Sequence, residues 1–249
     1  MSIKRDPKEF EGKTTSDFIG ELQAFREKYP YGHHPIIDAM VEGTLPKEGL
    51  KVFLIQWWYF GAVGAEQIFA MILAGMPIDP DLYPIKKSLV ENIHGEFFDP
   101  DVHPEVNVNM ITSGCGITRD EVYKAELLPE TSAFVNTLLH YVNNDWKEGL
   151  MSLMWALESQ SPIQFVRQGK ALREQYGFTD TQFVDMHVLM DQEHAEEADT
   201  FAEMILTPEN MQGIWNAATD TIEAIWMWHE RMYQRFMPVE AAKRISEAA

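Results

Sequence analysis

His187-Val188-Leu189-Met190-Asp191-Gln192-Glu193-His194 lies inside a run from Thr179 to Leu206 that reads at helical period. On a helix, positions 187, 191 and 194 stand at i, i+4 and i+7, so His, Asp and His project from one stripe. Apolar Val184 and Met190 share that side, whereas Glu193, Glu196, Glu197 and Asp199 fall largely on other faces. Imidazole nitrogen and carboxylate oxygen one turn apart suit iron, manganese or zinc. The competing explanation is an acid-rich surface helix.

Working outward, nearly every segment has the same period. Helices are expected over residues 15–28, 35–41, 46–74, 82–98, 103–112, 131–158, 162–176, 179–206 and 208–237, with a short one opened by a Thr118-Arg119-Asp120-Glu121 capping box. Gly43, Gly75 and Gly177 are placed to stop helices, and Thr207 to cap one. No alternating β-branched run competes. The expectation is an all-α chain, one domain over 1–249 of about seven or eight helices, with frayed ends at 1–14 and 240–249.

Charge and composition narrow the function classes. Against 39 acidic residues stand 20 basic ones, a net charge of −19, and no basic run exceeds two residues, which excludes electrostatically driven nucleic-acid binding. Cys115 is the single cysteine, so no intramolecular disulfide forms, and Met1-Ser2-Ile3-Lys4-Arg5-Asp6 is not followed by an apolar signal core; a cytoplasmic location is expected. The apolar stretch from Val52 to Met76 is interrupted by Gln56, Glu66 and Gln67, which favours a buried core helix over a membrane span.

Two further helices offer ligands. Glu91-Asn92-Ile93-His94 is Glu-x-x-His, the i, i+3 arrangement by which dinuclear carboxylate proteins project ligands into a bundle. Glu158, in Trp155-Ala156-Leu157-Glu158-Ser159-Gln160, is an acid in an otherwise apolar stretch, where burial costs several kcal/mol unless it is paired or metal-bound. Glu91, His94, Glu158, His187, Asp191 and His194 together suffice for two divalent ions.

These residues resemble the heme-oxygenase-like di-iron oxidases and oxygenases, a helical-bundle family related to the TenA thiaminases and the PqqC-type quinone-cofactor synthases. The likeness runs from about His33-His34-Pro35 to Tyr233, with His-x-x-x-Asp-x-x-His as its most specific motif, and Tyr31-Gly32-His33-His34-Pro35 looks like the PqqC-type start. Glu91 and His94 match the close first pair of the 1-alkene-forming fatty-acid decarboxylase branch, while other branches space that pair more widely. Glu158 matches the mid-chain Glu. The resemblance implies two Fe(II)/Fe(III) ions with dioxygen as cosubstrate, an external electron donor and a homodimer. It also implies oxidation of a small carboxylate-bearing substrate, an amino acid or derivative before a medium-chain fatty acid. A metal-free PqqC-like oxidase, a TenA-like hydrolase and a non-catalytic ligand-binding protein are the rival readings. Trp57, within Trp57-Trp58-Tyr59-Phe60, is a candidate substrate wall, Arg167 a candidate carboxylate anchor with Lys170 nearby, and Glu66 a candidate further ligand or a paired core carboxylate. His103, His140 and His229 have no ligand spacing and are expected to stay out of the site.

Overall fold

The computed structural model describes residues 5–61, 66–98 and 103–247, apart from the side chains of Glu66, Phe97, Phe98, Leu189, residues 191–196, Ile245 and Glu247. Among the described residues all regular structure is helical. In chain order the α-helices are α1 (Thr15–Arg26), α2 (Pro35–Val41), α3 (Lys47–Tyr59), α4 (Glu66–Gly75), α5 (Tyr83–Phe98), α6 (His103–Cys115), α7 (Arg119–Tyr123), α8 (Pro129–Asn144) and α9 (Trp146–Leu150). They continue with α10 (Ser161–Glu174), α11 (Gln182–Ile205), α12 (Met211–Phe236) and α13 (Pro238–Glu247). The all-α expectation holds, and among the described residues thirteen α-helical segments replace the expected seven or eight. The added breaks have local causes. Residues 131–158, read as one pattern, divide where the Asp145 side chain caps a new helix by accepting from Lys147 N at 2.7 Å.

Several stop and start signals act as their chemistry demands. Gly43 (φ 69°) and Gly177 (φ 73°) take the left-handed conformation that closes a helix without a Cβ penalty. The Thr118 hydroxyl accepts from Glu121 N at 3.3 Å while the Glu121 carboxylate accepts from Thr118 N at 2.8 Å, a reciprocal capping box. Thr207 does not cap α12, which starts later. Instead Asn210 spans the turn, accepting from Thr207 N at 2.9 Å and donating to Ile205 O at 2.7 Å.

Buried apolar side chains from Phe10 to Ala241 form one continuous cluster. Two stretches inside the expected frayed ends join it: Phe10, in a short 3₁₀ turn (Pro7–Phe10), packs edge-on against Phe18 with ring centroids 5.6 Å apart, and Ala241 of α13 is buried. Within the Val52 to Met76 stretch, Phe53, Leu54, Ile68 and Ile72 are core residues, and among the described residues no helix is long and apolar enough to cross a membrane.

What positions the site is a defect in helical regularity. After α9 the chain runs as a π-helix (Met151–Leu157) and then a 3₁₀ turn (Glu158–Gln160) before α10 resumes. π-turns are rare and re-aim the residues that follow, often at functional sites. This one is fixed on both flanks: Ser152 Oγ bonds Thr221 Oγ1 of α12 at 2.5 Å, and Trp155 Nε1 donates to Asp199 Oδ1 of α11 at 2.8 Å. The π and 3₁₀ turns and α6 all pack on α11, α5 and α3 pack on α6, and the site lies where they meet.

Candidate metal centre

Glu96 near the end of α5, His103 at the start of α6 and His187 on α11 each offer one ligand atom, and these atoms lie within 4.8 Å of one another. His103 Nδ1 is 3.0 Å from Glu96 Oε2, and His187 Nε2 is 3.8 Å from Glu96 Oε1. Burial by itself would raise the Glu96 carboxyl, but the two imidazoles outweigh it and hold the group at about 2. The carboxylate is therefore ionised at neutral pH in a largely dry setting.

The His187 imidazole is oriented as a ligand usually is, by a bond at the other ring nitrogen. His187 Nδ1 donates to Phe183 O at 2.7 Å, one turn earlier on α11. A carbonyl only accepts, so this bond puts the proton on Nδ1 and, in the neutral ring, the lone pair on Nε2, the atom that faces Glu96. His103 is 1% exposed, and its Nε2 has no hydrogen-bond partner among the described residues. An orphaned buried imidazole nitrogen beside an ionised carboxylate is what a divalent metal satisfies, and the N/N/O donor set suits iron.

Glu96, His187 and Glu158 line one cleft of about 60 Å³, walled by Trp57, Phe60, Leu157, Phe165 and Phe183. The His187 ring is held between Phe183, at a centroid distance of 4.2 Å, and Phe165, at 5.3 Å. Glu158 reaches this cleft because it sits at the junction of the π and 3₁₀ turns.

Of the six expected ligands, the structure brings His187 and Glu158 to the cleft, while the side chains of Asp191 and His194 lie outside the described residues, as does that of Glu66. Glu91 and His94 are exposed, and Glu91 pairs with Lys87 at 3.4 Å. At about 100° per residue, Glu91 and Glu96 stand about 140° apart around α5, and His94 and Glu96 about 160°. One side of the helix faces outward and the other faces His103 and His187. The first carboxylate–imidazole pair assembled in the structure is thus Glu96 with His103, a residue expected to stay out of the site. The pair escapes helical-stripe reasoning because the two residues belong to different helices. Trp57 lines the cleft. Arg167 does not: its guanidinium donates to Gly32 O and to Asp38 Oδ1, both at 2.7 Å, tying α10 to α2. His229 lies in a separate buried network, its Nε2 3.1 Å from Gln164 Oε1, beside the His34–Glu230–Arg244 cluster.

A family model described as "Iron-containing redox enzyme" matches residues 51–226. No curated protein matches the sequence. Among solved structures, a TenA homolog from Pseudomonas syringae superposes with a TM-score of 0.74 at 14% identity, covering 94% of this chain and 98% of that one. A domain of unknown function with a heme oxygenase-like fold from Shewanella denitrificans gives 0.71 at 14% identity, with 92% and 96% covered. A CADD-like protein of unknown function from Nostoc punctiforme gives 0.67 at 16% identity, with 89% and 99% covered. At such identities the likeness is one of fold, while the family match spans most of the chain and takes in the whole cleft. The chain belongs to the iron-containing redox enzyme family and has the heme-oxygenase-like fold.

Proposed function

We propose that this protein is a non-heme di-iron, dioxygen-using oxidoreductase acting on a small organic substrate. The observation that carries the proposal is the Glu96–His103–His187 constellation, with its orphaned His103 Nε2 and with Glu96 and His187 lining an aromatic cleft. In this reading Glu96, His103 and His187 hold one iron, and Glu158 with Asp191 and His194 the other. When bound, the iron pair supplies the redox equivalents and the site at which dioxygen is activated.

The chain's own residues do the rest. Glu96 supplies a fixed negative charge, and the Nδ1 bond of His187 to Phe183 O fixes that ring's tautomer and orientation. Trp57, Phe60, Phe165 and Phe183 exclude water from the reacting region, which strengthens every electrostatic interaction inside. Neither Lys nor Arg is among the described residues that line the cleft. A carboxylate-bearing substrate, such as an amino acid or derivative, therefore has the metal end of the cleft as its counter-charge, and Arg167 serves the fold.

Anaerobic titration with Fe(II), followed by desalting and iron analysis, tests the proposal. The expected result is close to two irons per chain. Retention of no iron would refute it and favour a metal-free activity of the same fold.

A further inference from the structure

Among the described residues, five polar side chains line the cleft: Glu96, Asn107, Glu158, Ser161 and His187. Four are engaged with the protein. Glu96 faces the two imidazoles, His187 donates to Phe183 O, Ser161 Oγ donates to Glu158 O at 2.6 Å, and Glu158 has a polar interaction of its own. Asn107 differs. It is 2% exposed, and its carboxamide makes no hydrogen bond among the described residues. Its amide is not among the sealed, unpartnered polar atoms of the described residues but lines the cleft, where a ligand can meet it.

Its position is specific. Asn107 stands four residues after His103 on α6, so both side chains rise from the same face of the helix. The cleft, at about 60 Å³, exceeds the ~10–15 Å³ that one water needs and so has room for a small head group beside Asn107. A carboxamide offers donors and an acceptor together and matches a group that does the same. It cannot neutralise a charge, and neither Lys nor Arg is among the described residues that line the cleft, so it suits a neutral group while a substrate carboxylate falls to the metal end.

We infer that Asn107 is a substrate-binding residue whose carboxamide takes up a neutral carbonyl, carboxamide or hydroxyl group beside the metal centre. The inference rests on the proposed metal-dependent function for its location, not for its binding chemistry. The substrate therefore carries a neutral hydrogen-bonding group close to the bond that reacts, with its body directed outward past the aromatic walls.

Acetamide and acetate, equal in size and differing in charge, are suitable probes for the metal-free protein, with binding followed by saturation-transfer NMR. Acetamide is expected to bind saturably and more tightly than acetate, and Asn107→Leu to weaken it about three- to tenfold, the worth of one or two hydrogen bonds. The thermal midpoint of Asn107→Leu is expected to be unchanged or raised, since no protein partner is lost. Asn107→Ala, which cannot clash, carries the same measurements if the leucine variant fails to fold. Equal acetamide affinity in wild type and variant, absence of saturable acetamide binding, preference for acetate, or a lowered midpoint in both variants would overturn the inference. Fe(II) titration of the same proteins separates the two ideas. Intact iron binding with unchanged acetamide affinity defeats the Asn107 assignment alone, and lost iron binding with the amide preference intact defeats the metal-dependent function alone.

Discussion

Glu96→Gln and Glu91→Gln are near-isosteric changes on one helix with opposite expected consequences. Glu96 is held at about 2 against an ordinary 4.5, and at about 1.4 kcal/mol per pH unit this makes its ionised form worth about 3 kcal/mol to the folded metal-free protein. The sign follows from a lowered folded-state value. The stability is fully present above 4.5 and is lost as pH falls through about 2, so at pH 7 Glu96→Gln forfeits most of it. Glu91 pairs with Lys87 across an exposed helix turn, an interaction worth about 0.3–0.5 kcal/mol. With metal the contrast widens. Loss of a supporting partner around a metal ligand costs about 10- to 100-fold in affinity, and loss of the carboxylate ligand is expected to cost at least about 100-fold. Urea unfolding of the metal-free variants at pH 7, followed by circular dichroism, reads the first quantity, and competition with a chromophoric Fe(II) chelator reads the second. If Glu91→Gln stripped iron while Glu96→Gln kept it, the assignment of the centre to the inner face of α5 would be wrong.

Three other outcomes are expected. The His34 hydrogen bond holds the Glu230 carboxyl at about 2, with Arg244 and Gln234 outweighing the burial that opposes them; acid unfolding should steepen between 4.5 and about 2 by up to about 3 kcal/mol, and Glu230→Gln should flatten that limb in a pH series of urea melts. Arg167→Gln, by cutting the bonds to Gly32 O and Asp38, should lower stability by about 1–2 kcal/mol and leave Fe(II) affinity unchanged; a selective loss of carboxylate binding without loss of stability would restore it as an anchor. Gly114→Ala should destabilise by about 1–3 kcal/mol, because its Cβ would stand 2.0 Å from the buried Phe178 ring; an unchanged thermal midpoint would show that the ring swings aside freely.

The sequence alone determined the all-α class, because apolar spacing and cap residues act within one or two turns: Thr118 and Glu121 form their box, and Gly43 and Gly177 close their helices, whatever packs nearby. It also identified His187, Glu158 and Trp57, three residues that line the cleft, since an acid or imidazole in an apolar helical run stands out locally. Tertiary structure decided the partners. Glu96 and His103 lie on separate helices, so no helical period relates them, and only the packing of α5 and α11 on α6 brings their atoms within reach of His187. The same holds for Arg167, whose sequence context suits an anchor until Asp38 and Gly32 occupy it, and for Asn107, whose place in the cleft lining becomes visible once the described helices are packed. Helical period is a short-range property of the backbone, whereas a ligand set or an unmet hydrogen bond is defined by groups distant in the chain, which is why the fold was legible and half of the site was not.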